Sequence, residues 1–161
     1  MSSDLRWTLV LALAPLAALA APLPDRRAEE NAVLEAVLRQ QIEVQLDSSA
    51  RARQMVICLG INPGQAPQSP SREFLARFRT EAAVRAMTEC ERSSGGAVEG
   101  TTGRPAVMVI AGPIDWVSAD EAWVDVSYFR TRRDSGLRLY RVVKEKSGWV
   151  SLGPILRDGP A

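Results

Sequence analysis

The stretch "EAWVDVSYFRTRRDSGLRLYRVVKEKSGWVSL", residues 121–152, decides the fold class. Its first part alternates, with Ala122, Val124, Val126 and Tyr128 on one side of an extended chain and Asp125 and Ser127 on the other. Successive side chains of a strand point to opposite faces, so this pattern predicts a strand with one face buried. Ser118–Asp120, Asp134-Ser135-Gly136 and Ser147-Gly148 supply short turns around it. "LRLYRVVKEK" and "WVSLGPIL" are then its antiparallel successors, and "AVMVIAGPIDWV", bent at Gly112-Pro113, its predecessor. From Pro105 onward the chain reads as a four-strand antiparallel meander.

Upstream of the meander the pattern changes period. In "AEENAVLEAVLRQQIEVQLD", residues 28–47, Leu34, Leu38, Ile42 and Leu46 recur every four positions with Val33 and Val37 beside them. That is one apolar stripe of a helix. Glu29 and Glu30 suit the positive end of its dipole, and Glu35–Arg39 is an i,i+4 pair. "QMVICLGIN" is short, β-branched and closed by Asn62-Pro63-Gly64, which predicts a buried strand. Cys58 alternates against Met55, Ile57, Leu59 and Ile61, so either both faces of this strand are covered or its register differs. Ser71 caps an expected second helix over "REFLARFRTEAAVRAMTEC", where Phe74, Phe78, Ala82, Ala86 and Cys90 repeat every four residues. "ERSSGGAVEGTTGRP" reads as a mobile loop. The fold class is therefore α+β, with N-terminal helices packed on one face of an antiparallel sheet.

Composition bounds the chemistry. Hydrophobic residues make up 46% and charged residues 24% of 161 residues, as in a globular protein, and the net charge of +1 gives no general attraction to nucleic acid. The chain has no histidine, which closes the Ser-His-Asp and Cys-His routes to a nucleophile and removes the commonest metal ligand. Two cysteines complete no zinc site, and no glycine-rich phosphate or dinucleotide motif occurs, so no metal and no cofactor is implied. At the N-terminus, Arg6 precedes the apolar "WTLVLALAPLAALA", with Ala18 and Ala20 in the small-residue pattern of a signal-peptidase site. The expectation is a signal peptide over residues 1–20 and an exported single domain over 21–161, ordered over about 28–156, periplasmic or secreted and without a membrane anchor after cleavage. An even cysteine count in an exported chain favours a Cys58–Cys90 disulfide over free thiols.

The candidate site is the basic hairpin. Residues 122–146 hold seven cations (Arg130, Arg132, Arg133, Arg138, Arg141, Lys144, Lys146) against three acids (Asp125, Asp134, Glu145), a local balance of +4. Clustered arginines recognise carboxylates and phosphates, so Arg130, Arg132, Arg138, Arg141 and Tyr140 are the candidate binding residues for an acidic protein or anionic ligand. The competing reading is a solvated sheet face whose cations discourage edge-to-edge aggregation. Asp115, Asp120, Glu121 and Asp125 are the acids near the middle strands, and turn chemistry accounts for the central two. Trp116, Trp123 and Trp149 read as packing residues, Trp149 closing over the end of the first helix.

The element order, together with Tyr140, Val142, Lys144, Lys146, Gly148, Trp149 and Val150 in Tyr-x-Val-x-Lys-x-Lys-x-Gly-Trp-Val, resembles small exported bacterial NTF2-like or cystatin-like proteins. The resemblance implies a curved sheet wrapped around the first helix and a conical pocket, for which Tyr128, Asp125 and Arg141 are the candidate groups. Its enzymatic members are isomerases and dehydratases that use pocket Asp, His or Tyr; this chain lacks histidine and matches no catalytic Asp position, so no activity follows. Ser135-Gly136…Tyr140 is also similar, with different spacing and without the second motif, to the Ser-Gly…Tyr motif of periplasmic lysozyme inhibitors. The expected function is a non-catalytic envelope protein, binding or accessory, acting through its sheet surface. The alternatives are an NTF2-like pocket protein and an inhibitor or immunity protein.

Overall fold

The computed structural model describes residues 26–46, 55–64, 66–79 and 83–155. The expected signal peptide lies outside them. Helix α1 (Arg26–Leu46) buries Val33, Leu34, Val37, Leu38 and Ile42, the stripe expected from the four-residue spacing, and extends it through Gln41 and Gln45. The stripe lies on one face of a six-stranded sheet. Strands β1 (Val56–Ile61), β2 (Val84–Ala86), β5 (Ala106–Trp116), β6 (Glu121–Thr131), β7 (Asp134–Glu145) and β8 (Gly148–Ile155) are ordered β2-β1-β5-β6-β7-β8, while β3 (Cys90–Ser93) and β4 (Gly96–Glu99) form a separate hairpin. The protein is thus α+β, with one long helix on a mostly antiparallel sheet.

Strands β5 to β8 form the expected meander, with register shifts at Ala111/Ile114, Phe129/Thr131 and Tyr140/Val142. Such bulges bend and twist the strands that carry them. The first bulge falls at Gly112-Pro113, where the sequence predicts a bend. The β6–β7 turn is Arg132-Arg133, and the expected turn residues Asp134-Ser135-Gly136 instead open β7, with Thr131 opposite Asp134.

Strand β1 is not an outlying addition to the meander: it runs parallel to β5 on one side and to β2 on the other. Both its faces are covered. Ile57 and Leu59 join Val107, Val109, Val124 and Tyr140 beneath α1, while Val56 and Cys58 pack with Ala97, Ala106 and Met108 on the opposite face.

Two expectations are corrected here. The second helix is only Arg72–Ala76 (α2), capped by Ser71 Oγ, which accepts the Phe74 N–H at 3.1 Å. Phe74 and Phe78 are buried with ring centroids 5.5 Å apart, but the four-residue spacing does not carry on: Val84–Ala86 pairs with the open edge of β1. Pairing with an exposed strand edge outweighs the helix propensity of a short alanine-rich segment. The expected mobile loop contains the β3–β4 hairpin, turned at Ser94-Gly95, which lies over the back of β1 and β5. Ser94, Gly95 and Gly100 are turn residues, and Ser93 and Gly96 pair across the hairpin, so the composition marks a tight turn rather than disorder. Cys90 therefore begins a strand instead of ending a helix, and it is bonded to Cys58 with the two Cα atoms 6.3 Å apart.

Candidate functional site: the helix-free face of the sheet

Directly opposed residues of adjacent strands share a face, so the register assigns each candidate residue to a side. Tyr128, Arg130, Arg138 and Tyr140 point toward α1; Asp125, Leu137 and Arg141 point away from it. Arg132 stands in the turn. The five predicted binding residues therefore do not form one patch.

On the helix side the candidate residues make internal contacts. Tyr140 is fully buried, and its hydroxyl donates to Gln41 Oε1. Burial raises the Tyr140 pKa, offset in part by the Arg138 guanidinium. Arg130 donates to Gln45 Oε1 at 2.9 Å and pairs with Asp134 at 2.8 Å. Arg138 lies over the Tyr128 ring, 5.4 Å from its centroid. Lys144 is tied to Glu29 of α1, an interaction that raises its pKa. Trp149 meets Trp116 edge-on, with centroids 5.5 Å apart, beneath the first turn of α1, where Arg26 covers Trp116 at 4.3 Å. That is the helix-end role expected of Trp149.

The opposite face is divided. The β3–β4 hairpin covers its β1 and β5 half, with Arg92 4.4 Å over the Phe129 ring. The hairpin reaches the Phe129 end of β6, and beyond it no described element lies over the β6–β7–β8 half, where Leu139 is buried among its strand neighbours. There Trp123 is 38% exposed and Leu137 63%; Leu152, in the bulge of β8, is 54% exposed at the border. Val143 and Val150 are half-buried beside them. Glu121 holds Arg141 through both carboxylate oxygens, at 2.9 and 3.0 Å, and accepts the Trp123 indole N–H at 3.2 Å. The Arg141 hydrogen bond, with help from the indole and against partial burial, lowers the Glu121 pKa; the same bond raises that of Arg141. Both groups stay charged across the ordinary pH range. A cleft of about 290 Å³ between Arg92, Ile110, Ser127, Phe129 and Ser135 continues this face toward the hairpin.

Sequence reasoning treated Trp123 as packing and left Leu137 and Leu152 out of any site. Alternation alone places Trp123 opposite the buried Ala122 and Val124, which is the signal that could have found it.

On the helix side, at the N-terminal end of α1, a groove of about 360 Å³ runs between the first turns of α1, the segment after β1 and the β5 bulge. Leu34, Ile61, Phe74 and Trp116 form its walls, with Glu30 and Asn31 at the rim. None of Tyr128, Asp125 and Arg141 lines it. Among the described residues, no three acidic or cysteine side chains gather where they could hold a metal ion. Comparison of the chain with family models, curated proteins and solved structures finds no match.

Proposed function

We propose that this is an exported, non-catalytic protein that binds a macromolecular partner through the helix-free face of β6, β7 and β8. The carrying observation is the exposure of Trp123 and Leu137 on one side of adjacent strands, with Leu152 at their border. Trp123 and Leu137 stand two same-face steps apart, with Asp125 and Leu139 between them, and exposed large apolar side chains gathered on one sheet face mark interaction surfaces. The Cys58–Cys90 bond supports export, because such bonds persist in oxidising compartments. No described helix is long and apolar enough to cross a membrane.

A photo-crosslinking amino acid at Leu137, compared with one at the exposed Glu43 of α1, tests the face in cells that make the protein. A discrete adduct from Leu137 alone is expected; no adduct, or the same adducts from both positions, overturns the reading. Mass spectrometry of the exported material should find Ala21 as its first residue, whereas an intact Met1 contradicts cleavage.

A second reading, a small-molecule protein of the NTF2-like or cystatin-like kind, rests on the long helix across a bulged sheet and on the groove walled by Phe74 and Trp116. The parallel β2-β1-β5 edge and the β3–β4 hairpin are additions that the resemblance did not imply. Because Tyr128, Asp125 and Arg141 lie outside the groove, the surface reading is preferred. Quenching of tryptophan fluorescence by a bound small molecule, lost in Trp116→Phe, would reverse that preference.

A further inference from the structure

We infer that the partner segment taken by the helix-free face is cationic and amphipathic, with lysine or arginine side chains interspersed among large apolar ones. This inference rests on the docking reading above and specifies its chemistry.

The apolar side chains Trp123, Leu137 and Leu152 make the face a docking surface, and the charges around them select what docks. Asp115 stands directly across from Trp123 on β5, and Asp125 lies two residues along β6 on the same side. Glu121 and Glu145 share that side, so four carboxylates are interspersed with these apolar side chains. Asp115, Asp125 and Glu145 make no ion pair among the described residues. Arg141, the one cation that β5–β8 present there among the described residues, is already held by both oxygens of Glu121. The remaining cations of the meander lie elsewhere. Arg130, Arg138 and Lys144 face α1, and Arg132, Arg133 and Lys146 sit in the turns. A segregation invisible in the summed charge of the hairpin thus leaves its open face acidic, with Arg92 of β3 as the cation at its border over Phe129.

Charge complementarity at such a face attracts a basic partner and repels an acidic one. The indole adds a specific attraction. Its N–H is engaged by Glu121, and a guanidinium or ammonium group over the ring gains the cation–π interaction while meeting Asp115 or Asp125. The anionic partner expected from the run of arginines would meet like charge on this side.

The test uses two synthetic peptides of equal length, one alternating lysine with leucine and the other glutamate with leucine. Each is titrated into the isotope-labelled protein with amide shifts as readout, at low and high salt. The expected result is that the lysine peptide moves the amides of Trp123, Asp125, Leu137 and Arg141. It should bind about tenfold tighter than the glutamate peptide and lose about tenfold in an Asp115→Asn/Asp125→Asn variant or at high salt. Retained amide dispersion shows that the variant is folded. Equal binding of both peptides at these amides overturns the cationic assignment and leaves the docking face standing. If neither peptide moves these amides, the docking face fails and the inference fails with it. Movement of the same amides on raising protein concentration alone assigns the face to a second copy of the chain and overturns the inference.

Discussion

Gly96 lies against the backbone carbonyl of Arg130, so close that a Cβ on Gly96 would run into the oxygen. Its φ of +138° is, in addition, one that other residues rarely adopt. This contact sets the β3–β4 hairpin onto the end of β6. Gly96→Ala should cost on the order of 3 kcal/mol, combining a conformational penalty with a backbone clash. Gly148, at φ +123° with open space around it, isolates the first term. Gly148→Ala should cost about 1–2 kcal/mol. Urea unfolding of the two variants measures both, and equal losses would contradict the clash.

The same hairpin is anchored at its start by Cys58–Cys90, which closes a loop with a sequence separation of 32. On the loop-entropy model, replacing both cysteines by serine should lower stability by about 3–4 kcal/mol. Non-reducing peptide mapping should recover the two peptides linked, and alkylation of both thiols in native protein would refute the bond.

Tyr140 and Gln41 couple α1 to the sheet in the centre of the core. Among the described residues Gln41 Nε2 has no hydrogen-bond partner, so the tyrosine hydroxyl satisfies only part of that amide. Tyr140→Phe leaves the Gln41 oxygen buried and unpaired and should cost about 1–3 kcal/mol. Gln41→Leu with Tyr140→Phe should recover much of this, a coupling that a double-mutant cycle reads directly. The pH dependence has a definite sign. The phenol pKa is raised by burial, so its contribution to stability is constant below the unfolded-state value, near pH 10, and is lost as pH rises from there through the folded value. Tyr140→Phe should flatten that alkaline limb.

The meander and α1 were legible because their patterns are local. Ala122, Val124 and Val126 alternate, and Val33, Val37 and Ile42 return to one side of a helix. Gln41 and Gln45 continue the same four-residue steps from Val33 and Val37, so their burial was within reach of the spacing, although their polarity argued against it. Strand β2 was not legible. Ala86 and Cys90 fit a helical step by coincidence, and Val84–Ala86 became a strand because β1, distant in sequence, offered an edge. Which face each candidate residue takes was not legible for a related reason. The run of arginines carries no mark of which members face α1, and Trp123 is exposed only because the hairpin stops short of β6 and β7's outer half. Coverage of a sheet face is a tertiary property.

Glu35 joins α1 to the segment after α2. Arg39 and Arg77 donate to its two oxygens at 2.8 and 2.9 Å, and Arg39 also donates to the Arg77 carbonyl at 2.6 Å. Partial burial is the largest single influence on its pKa and acts upward, but the hydrogen bonds and charges of Arg77 and Arg39 together outweigh it, leaving the pKa lowered. A lowered carboxylate pKa stabilises the fold above the unfolded-state value, near pH 4.3, and that contribution fades as pH falls through the folded value. Stability measured from neutral pH downward should show this loss, and Glu35→Gln should reduce its slope. An unchanged slope would show that the pair carries no linkage.

Trp123 and Leu137 separate binding from folding. Large apolar side chains in a core cost several kcal/mol when truncated, because burial and packing are lost together. Here the two side chains are 38% and 63% exposed and belong to neither buried cluster. Leu137→Ser should therefore change stability by less than about 0.5 kcal/mol, while Trp123→Ala, which also releases the indole bond to Glu121, should cost about 1 kcal/mol. If the face is the working surface, the same substitutions should remove the Leu137-side crosslink and the shift response while leaving the unfolding curve nearly in place. A large loss of stability from Leu137→Ser would instead show that the residue is held against the fold, and the exposed apolar side chains would lose their meaning as a site.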